Sequence, residues 1–187
     1  MALKKTVPQV NNIITKSLEA SFIEWLNENS LLSATQYGNA IKNLNENNAN
    51  SNGYDVLIKG DGEFKPVIAE IKSNVPVQND KYGSKQLDNI KNDISSLLDE
   101  TKFKKESDKA KEYLKFMVLL EITDNTENGV NTEEAIIKLL TNNDKEKITF
   151  EDAKSFPKDT NGLKPNHVYV IQLPLLEIKE AGQLSQK

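Results

Sequence analysis

The fold is decided by residues 54–73, which read YDVLIKGDGEFKPVIAEIKS. Two runs of β-type residues, Tyr54–Lys59 and Phe64–Ser73, lie on either side of the four residues GDGE at positions 60–63. Two glycines around an aspartate between such runs are typical of a hairpin turn. The stretch therefore predicts two antiparallel strands that are neighbours both in the sequence and in a sheet.

Three charged side chains of this hairpin, Asp55, Glu70 and Lys72, carry its chemical interest. Residues two apart in a strand project to the same face, so Glu70 and Lys72 share a face that Ile71 does not. Antiparallel pairing places Asp55 level with the late part of the second strand. The hairpin thus predicts two carboxylates and an ammonium group close together, an oxygen-rich site suited to Mg²⁺ or Mn²⁺.

A second interpretation is that Glu70 and Lys72 form an ordinary surface ion pair, which contributes little to stability. The apolar residues beside them, Val67–Ala69 and Ile71, favour a buried strand instead. Charged groups on a buried strand need a partner or a function, because leaving water costs them free energy. We therefore expect a functional site at the hairpin and keep the ion pair as the alternative.

The rest of the chain predicts a mixed order of helix, hairpin, helix, strand, helix and strand. Residues 31–52 allow a short helix before an asparagine-rich loop, and the lysine-rich segment Lys102–Lys115 predicts a solvated helix or loop. The fold class we expect is α/β, with a central mixed β-sheet flanked by helices. The remaining predicted elements are a first helix from Pro8 to about Asn29, a second helix after Gly83, a strand at Phe116–Leu120, a helix at Thr132–Leu140 and a strand at His167–Leu173.

Composition limits the classes of function that the chain can have. Its 187 residues contain no cysteine and one histidine, which excludes disulfide scaffolds, thiol nucleophiles and zinc sites built from several cysteines or histidines. Glycine-rich phosphate loops are absent, which argues against a nucleotide hydrolase. We expect one domain over 1–187, with a core at about 7–176 and a tail at 177–187. No segment predicts a signal peptide or a membrane span, so the expected location is cytoplasmic, with no membrane partner.

Asp55, the glycine-bearing hairpin and Glu70-Ile71-Lys72 resemble the active-site pattern of the PD-(D/E)xK nuclease superfamily. Tyr54 stands where the family name has proline. On the first helix, Glu19 and the apolar residues after it resemble the corresponding helix of Holliday-junction-resolvase-like members. The resemblance covers roughly residues 16–120 and includes the order of the elements.

The resemblance implies a restriction endonuclease-like fold and a Mg²⁺- or Mn²⁺-dependent endonuclease that hydrolyses DNA phosphodiester bonds. It implies that Asp55, Glu70 and the backbone carbonyl of Ile71 hold the metal. Lys72 would position or activate the attacking water, and Glu19 would assist from the first helix. Family members commonly form homodimers, so a homodimer is expected by analogy.

Further candidates lie near these residues. Glu24 is the alternative to Glu19 on the first helix. Lys81, Lys85 and Gln86 lie around the start of the second helix, where backbone amides and the helix dipole favour a phosphate. The equal alternative is that Gln86 caps the helix and Lys85 is solvated, and we interpret Asp93, two turns further on, as structural.

Two other classes of function stay open at this point. The chain could be a non-catalytic nuclease-fold subunit that binds nucleic acid, or a small α/β interaction domain with a hairpin ion pair. The formal net charge of −4 argues against a broad basic surface for DNA. All 24 basic residues are lysine, so any base recognition falls to Lys, Asn and Gln rather than to bidentate arginine.

Overall fold

The chain is described here from a computed structural model that covers residues 3–46, 54–73, 83–99, 112–121, 132–156, 162–164 and 166–175. No helix within these ranges has both the length and the apolar character needed to cross a bilayer. The helices are α1 (Leu3–Glu28), α2 (Ala34–Glu46), α3 (Ser84–Leu98), α4 (Thr132–Ile137) and α5 (Asn142–Lys145). The strands are β1 (Val56–Ile58), β2 (Val67–Lys72), β3 (Leu114–Leu120), β4 (Ile148–Glu151) and β5 (Val168–Leu173).

The five strands form one mixed sheet in the order β1-β2-β3-β5-β4. Strand β1 runs antiparallel to β2, and the other neighbouring strands are parallel. In the loop between β1 and β2, the Asp61 carboxylate accepts the backbone N–H of Phe64 at 3.0 Å. Gly62 adopts a φ of +97°, a conformation that a side chain would strain. The predicted hairpin is therefore confirmed.

Helices cover both faces of the sheet, which confirms the predicted α/β class. On one face α1 and α2 pack against Val67, Ala69 and Ile71 of β2. On the other face α3 packs against Ile68 through its apolar stripe. Because side chains alternate along a strand, Glu70 and Lys72 lie on the α3 side of β2. The apolar stripe of α3 consists of Ile90, Ile94 and Leu97.

An aromatic cluster fixes α1 over the sheet. The ring of Phe22 lies 5.3 Å from that of Phe116, and Trp25 lies 4.8 Å from Phe156. The indole N–H of Trp25 also donates to the carbonyl of Ala153 at 2.9 Å. These contacts hold α1 in place over the sheet. They therefore determine where the side chains of the preceding helical turn lie relative to β2.

The structure departs from the sequence prediction at Lys115. We expected Lys115 to end a solvated segment, but it lies in β3 and is 1% exposed. The reason is that β3 pairs with β2 and β5 and is covered by helices on both faces, so the strand begins earlier than its purely apolar run. Residues 102–111, like the predicted tail at 177–187, lie outside the described ranges.

Two further differences concern the boundaries and number of elements. Helix α1 begins at Leu3 rather than at Pro8, which lies in its second turn. Strand β4 was not predicted at all. It is four residues long, ITFE, and all four are only partly buried at the sheet edge. In so short a strand, too few apolar and polar residues alternate for the sequence pattern to indicate a strand.

Candidate active site

The hairpin register brings Asp55 and Glu70 together. Val56 pairs with Ala69 in the antiparallel ladder. Since antiparallel partners step in opposite directions, Asp55, just before β1, faces Glu70, just after Ala69. The two carboxyl groups are close enough for the charge of Asp55 to raise the pKa of Glu70. The two acidic residues that the sequence singled out therefore lie side by side.

Asp55 is anchored to the backbone of β2. Its Oδ2 accepts a hydrogen bond from the N–H of Ile71 at 2.8 Å. This bond extends the pairing of β1 with β2 by one residue beyond Val56, through a side chain instead of the backbone. The N–H and C=O of a strand residue face the same neighbouring strand, so the Ile71 carbonyl also faces the side where Asp55 lies. This orientation is compatible with the predicted role of that carbonyl as a metal ligand.

Burial raises the pKa values of both carboxyl groups, and the interaction between them raises the pKa of Glu70 but lowers that of Asp55. For Asp55 burial is the main cause, and the Ile71 N–H and the Lys72 ammonium oppose it. For Glu70 burial is again the main cause, followed by the negative charges of Asp55 and Asp93. With its pKa raised to about 8, the Glu70 carboxyl group retains a proton at neutral pH when no cation is bound, and a bound cation displaces it.

Lys72 lies on the same face as Glu70, as predicted, but its ion pair is with Asp93 of α3. Both side chains are about one quarter exposed, at 24% and 25%. The sequence interpretation gave Asp93 only a structural role, and the structure places it among the charged groups of the hairpin. A signal was present, because Asp93 directly precedes Ile94 of the buried α3 stripe and so lies at the edge of the face that packs on β2.

Glu19 approaches Asp55 from α1. It is 4% exposed, and its pKa is raised to about 7, first by burial and then by the charge of Asp55. Its Oε1 has no hydrogen-bond partner among the residues that the structure describes. The contact between the Thr15 and Ser73 hydroxyls, at 2.9 Å, ties this part of α1 to the end of β2.

The predicted alternative to Glu19 lies elsewhere. Glu24 accepts a hydrogen bond from the hydroxyl of Tyr37 on α2 at 2.5 Å. This bond, with burial and the charge of Glu24, raises the pKa of Tyr37 to about 12. Glu24 therefore helps to join α1 to α2 rather than contacting the carboxyl pair.

The candidates around the start of α3 have different outcomes. The Gln86 Oε1 accepts a hydrogen bond from the backbone N–H of Gly83 at 2.8 Å, which is the capping role given above as the alternative. Lys85 is exposed to solvent. Lys81 lies outside the described residues.

The donor set fits a small divalent cation. Within the described ranges, no three or more Asp, Glu or His side chains are already arranged as a metal site. Mg²⁺, however, commonly takes only one or two carboxylates and completes its shell with water and substrate oxygens. Asp55, Glu70 and the Ile71 carbonyl supply such a set. The unpartnered oxygen of buried Glu19 is a further acceptor for a water molecule or cation.

Charged side chains from three elements thus surround one end of β2. Asp55, Glu70 and Lys72 come from the hairpin, Asp93 comes from α3 and Glu19 comes from α1. Comparison with known proteins adds no relative to this description: the chain matches no protein-family model, no curated protein and no solved structure.

Proposed function

We propose that the chain is a Mg²⁺- or Mn²⁺-dependent endonuclease that hydrolyses DNA phosphodiester bonds, with a restriction endonuclease-like site of the PD-(D/E)xK type. The observation that carries this proposal is the hairpin register that places Asp55 opposite Glu70, with Lys72 on the same face of β2 as Glu70. Two partly buried carboxyl groups in contact are unfavourable unless a proton or a cation lies between them. Such a pair is therefore well suited to hold a divalent ion.

Asp55, Glu70 and the Ile71 carbonyl would hold the ion. A divalent ion at that position supplies Lewis acidity toward a phosphoryl oxygen and offsets the negative charge that develops there. The carboxylates stay in place without substrate, because the Ile71 N–H fixes Asp55 and the strand ladder fixes Glu70. Such preorganisation lowers the cost of reaching the transition state.

Lys72 and Glu19 act on the reacting groups. In hydrolysis a water oxygen forms a bond to phosphorus as the water releases a proton, one P–O ester bond breaks, and the leaving oxygen takes up a proton from solvent in balance. The Lys72 ammonium donates a hydrogen bond to the attacking water or to a phosphoryl oxygen. The unpartnered Oε1 of Glu19 accepts a hydrogen bond from the water and helps to orient it.

The arrangement of elements also supports the proposal. An antiparallel hairpin, a helix and a parallel strand follow one another, with α1 on the opposite face of the sheet from α3.

A homodimer, proposed by analogy, would give one site for each strand of a duplex. Sedimentation with and without DNA measures the association state.

Plasmid cleavage tests the proposal. Supercoiled DNA is incubated with Mg²⁺ or Mn²⁺ and wild-type protein, Asp55→Asn, Glu70→Gln or Lys72→Met. Matched controls are Glu63→Gln and Lys59→Met, which change exposed residues of the same hairpin. We expect the three site variants to lose at least about 100-fold in rate and the controls to retain the wild-type rate.

The other outcomes distinguish the alternatives. Cleavage that survives all three site substitutions contradicts the assignment of the site. A wild-type protein that shifts DNA in a gel without cutting it supports a non-catalytic binding subunit. Absence of DNA binding even at low salt supports an interaction domain. A parallel reaction with RNA decides which nucleic acid is cut.

A further inference from the structure

We propose that Asp93 is a positioning residue, which keeps Lys72 beside the carboxyl pair when a divalent cation is bound there. This inference rests on the proposed function and assigns a part in it to α3. It starts from the ion pair between Lys72 and Asp93, which joins the hairpin to the helix that packs on it.

Buried contacts hold helix α3, and with it one partner of this ion pair, in a fixed position. Ile90 is 1% exposed and Ile94 is fully buried, and both belong to the same core cluster as Ile68 of β2. Asp93 lies directly before Ile94, so its carboxylate is carried by a turn whose position is set by buried contacts. A carboxylate held in this way can restrict a long and flexible lysine side chain.

Lys72 needs such a partner if a cation binds at Asp55 and Glu70. An ammonium group and a divalent ion repel each other, and the repulsion is strong in a partly buried site because water screens it poorly. Without a counter-charge, Lys72 would turn away toward solvent. Asp93 supplies this counter-charge from α3.

The charges of the site support the same conclusion. When ionised, Asp55, Glu70 and Asp93 carry three negative charges and Lys72 carries one positive charge, while on α1 the charge of Glu19 is opposed by that of Lys16. The two remaining negative charges are balanced by one divalent cation. Removal of Asp93 alone leaves the loaded site with an excess positive charge, whereas removal of Asp93 and Lys72 together restores the balance.

Mn²⁺ binding, measured by calorimetry on the full chain, tests this inference independently of activity. We expect Asp93→Asn to bind Mn²⁺ about tenfold more weakly than wild type, as substitutions next to metal ligands commonly do. Lys72→Met should bind Mn²⁺ at least as tightly as wild type. The double variant Asp93→Asn with Lys72→Met should return to within about threefold of the wild-type affinity.

DNA cleavage by the same variants separates positioning from a structural role. Asp93→Asn should lower kcat about tenfold while KM for DNA changes less than twofold, and Asp93→Glu should recover part of kcat. In the Lys72→Met background, Asp93→Asn should cause no further loss. Asp88→Asn, an exposed carboxylate on the same helix, is the matched control and should behave as wild type.

A purely structural ion pair predicts a different pattern. Asp93→Asn would then lower the melting temperature but keep wild-type Mn²⁺ affinity and kcat, and that result would overturn the inference. In that case wild type still cuts DNA, so the proposed function stands. If wild type neither binds Mn²⁺ nor cuts DNA, both the proposed function and this inference are contradicted.

Discussion

Glu19 shows how one residue couples the site to the stability of the protein. Its carboxyl group is 4% exposed and has a pKa of about 7, against 4.5 for an unperturbed glutamate. At a pH between these two pKa values, the Glu19 carboxyl group is protonated in the folded protein and ionised in the unfolded chain. The free energy of unfolding therefore falls as the pH rises through this interval, and the protonated form is the stable one below it.

This coupling predicts a pH-dependent effect of Glu19→Gln on metal-free protein. Between pH 4.5 and pH 8, the ionisation of Glu19 should lower the free energy of unfolding of wild type by roughly 2–3 kcal/mol. Over the same interval, the decrease in the variant should be smaller by this amount. Urea denaturation in EDTA at several pH values measures both. Glu28→Gln, an exposed position of the same helix, controls for the change in net charge. Equal pH dependence in wild type and Glu19→Gln would show that Glu19 is not the group responsible.

At the scale of elements, β2 is held between α1 and α3. The Phe22 and Trp25 rings fix α1 on one face, and Ile90 and Ile94 fix α3 on the other. Each helix carries one acidic residue toward the end of β2. The site is thus assembled by packing between elements that are far apart in the sequence.

Truncation of the α3 stripe should weaken this assembly. Ile94 is fully buried, so Ile94→Ala should lower the free energy of unfolding by about 3 kcal/mol through lost contacts and the remaining cavity. Asn89→Ala, on the exposed face of α3, should change it by less than about 0.5 kcal/mol. Urea denaturation measures both variants. A loss below 1 kcal/mol in Ile94→Ala would contradict the packing of α3 on β2.

The difference between local sequence signals and packing between elements explains which features the sequence could predict. The hairpin, the face shared by Glu70 and Lys72, and the long helices follow from local signals, namely a glycine turn and apolar periodicity. The pairing of Lys72 with Asp93 depends on how α3 lies across β2, which no local pattern specifies. Lys115 was placed wrongly because its charge outweighed the apolar strand that follows it, although the strand pairs on both edges.

At the scale of the whole molecule, the distribution of charge matters more than its sum. The net charge is −4, and the chain has no arginine with which to contact phosphates. At the proposed site, ionised carboxyl groups would repel a DNA backbone until a cation neutralises them. DNA affinity should therefore depend on the divalent ion.

This dependence predicts an effect of Glu70→Gln on DNA binding. In EDTA at pH 9, where the Glu70 carboxyl group is ionised because its pKa is about 8, the variant should bind a DNA duplex at least about threefold more tightly than wild type, since one repulsive charge is absent. Addition of Ca²⁺ should tighten binding by wild type more than binding by the variant. Gel shifts at constant ionic strength measure this difference, and Glu63→Gln is the exposed control. If Glu70→Gln binds DNA no more tightly than wild type in EDTA, phosphate does not approach this carboxylate.

The most direct test of the central claim is the rate at which wild type and Glu70→Gln cut supercoiled plasmid at saturating Mn²⁺. Both proteins must first show the same cooperative unfolding transition, so that a lost rate reports the site and not the fold. The claim predicts metal-dependent cutting by wild type and a rate at least about 100-fold lower for the variant. Equal rates for the two proteins, or no cutting by wild type, would contradict it.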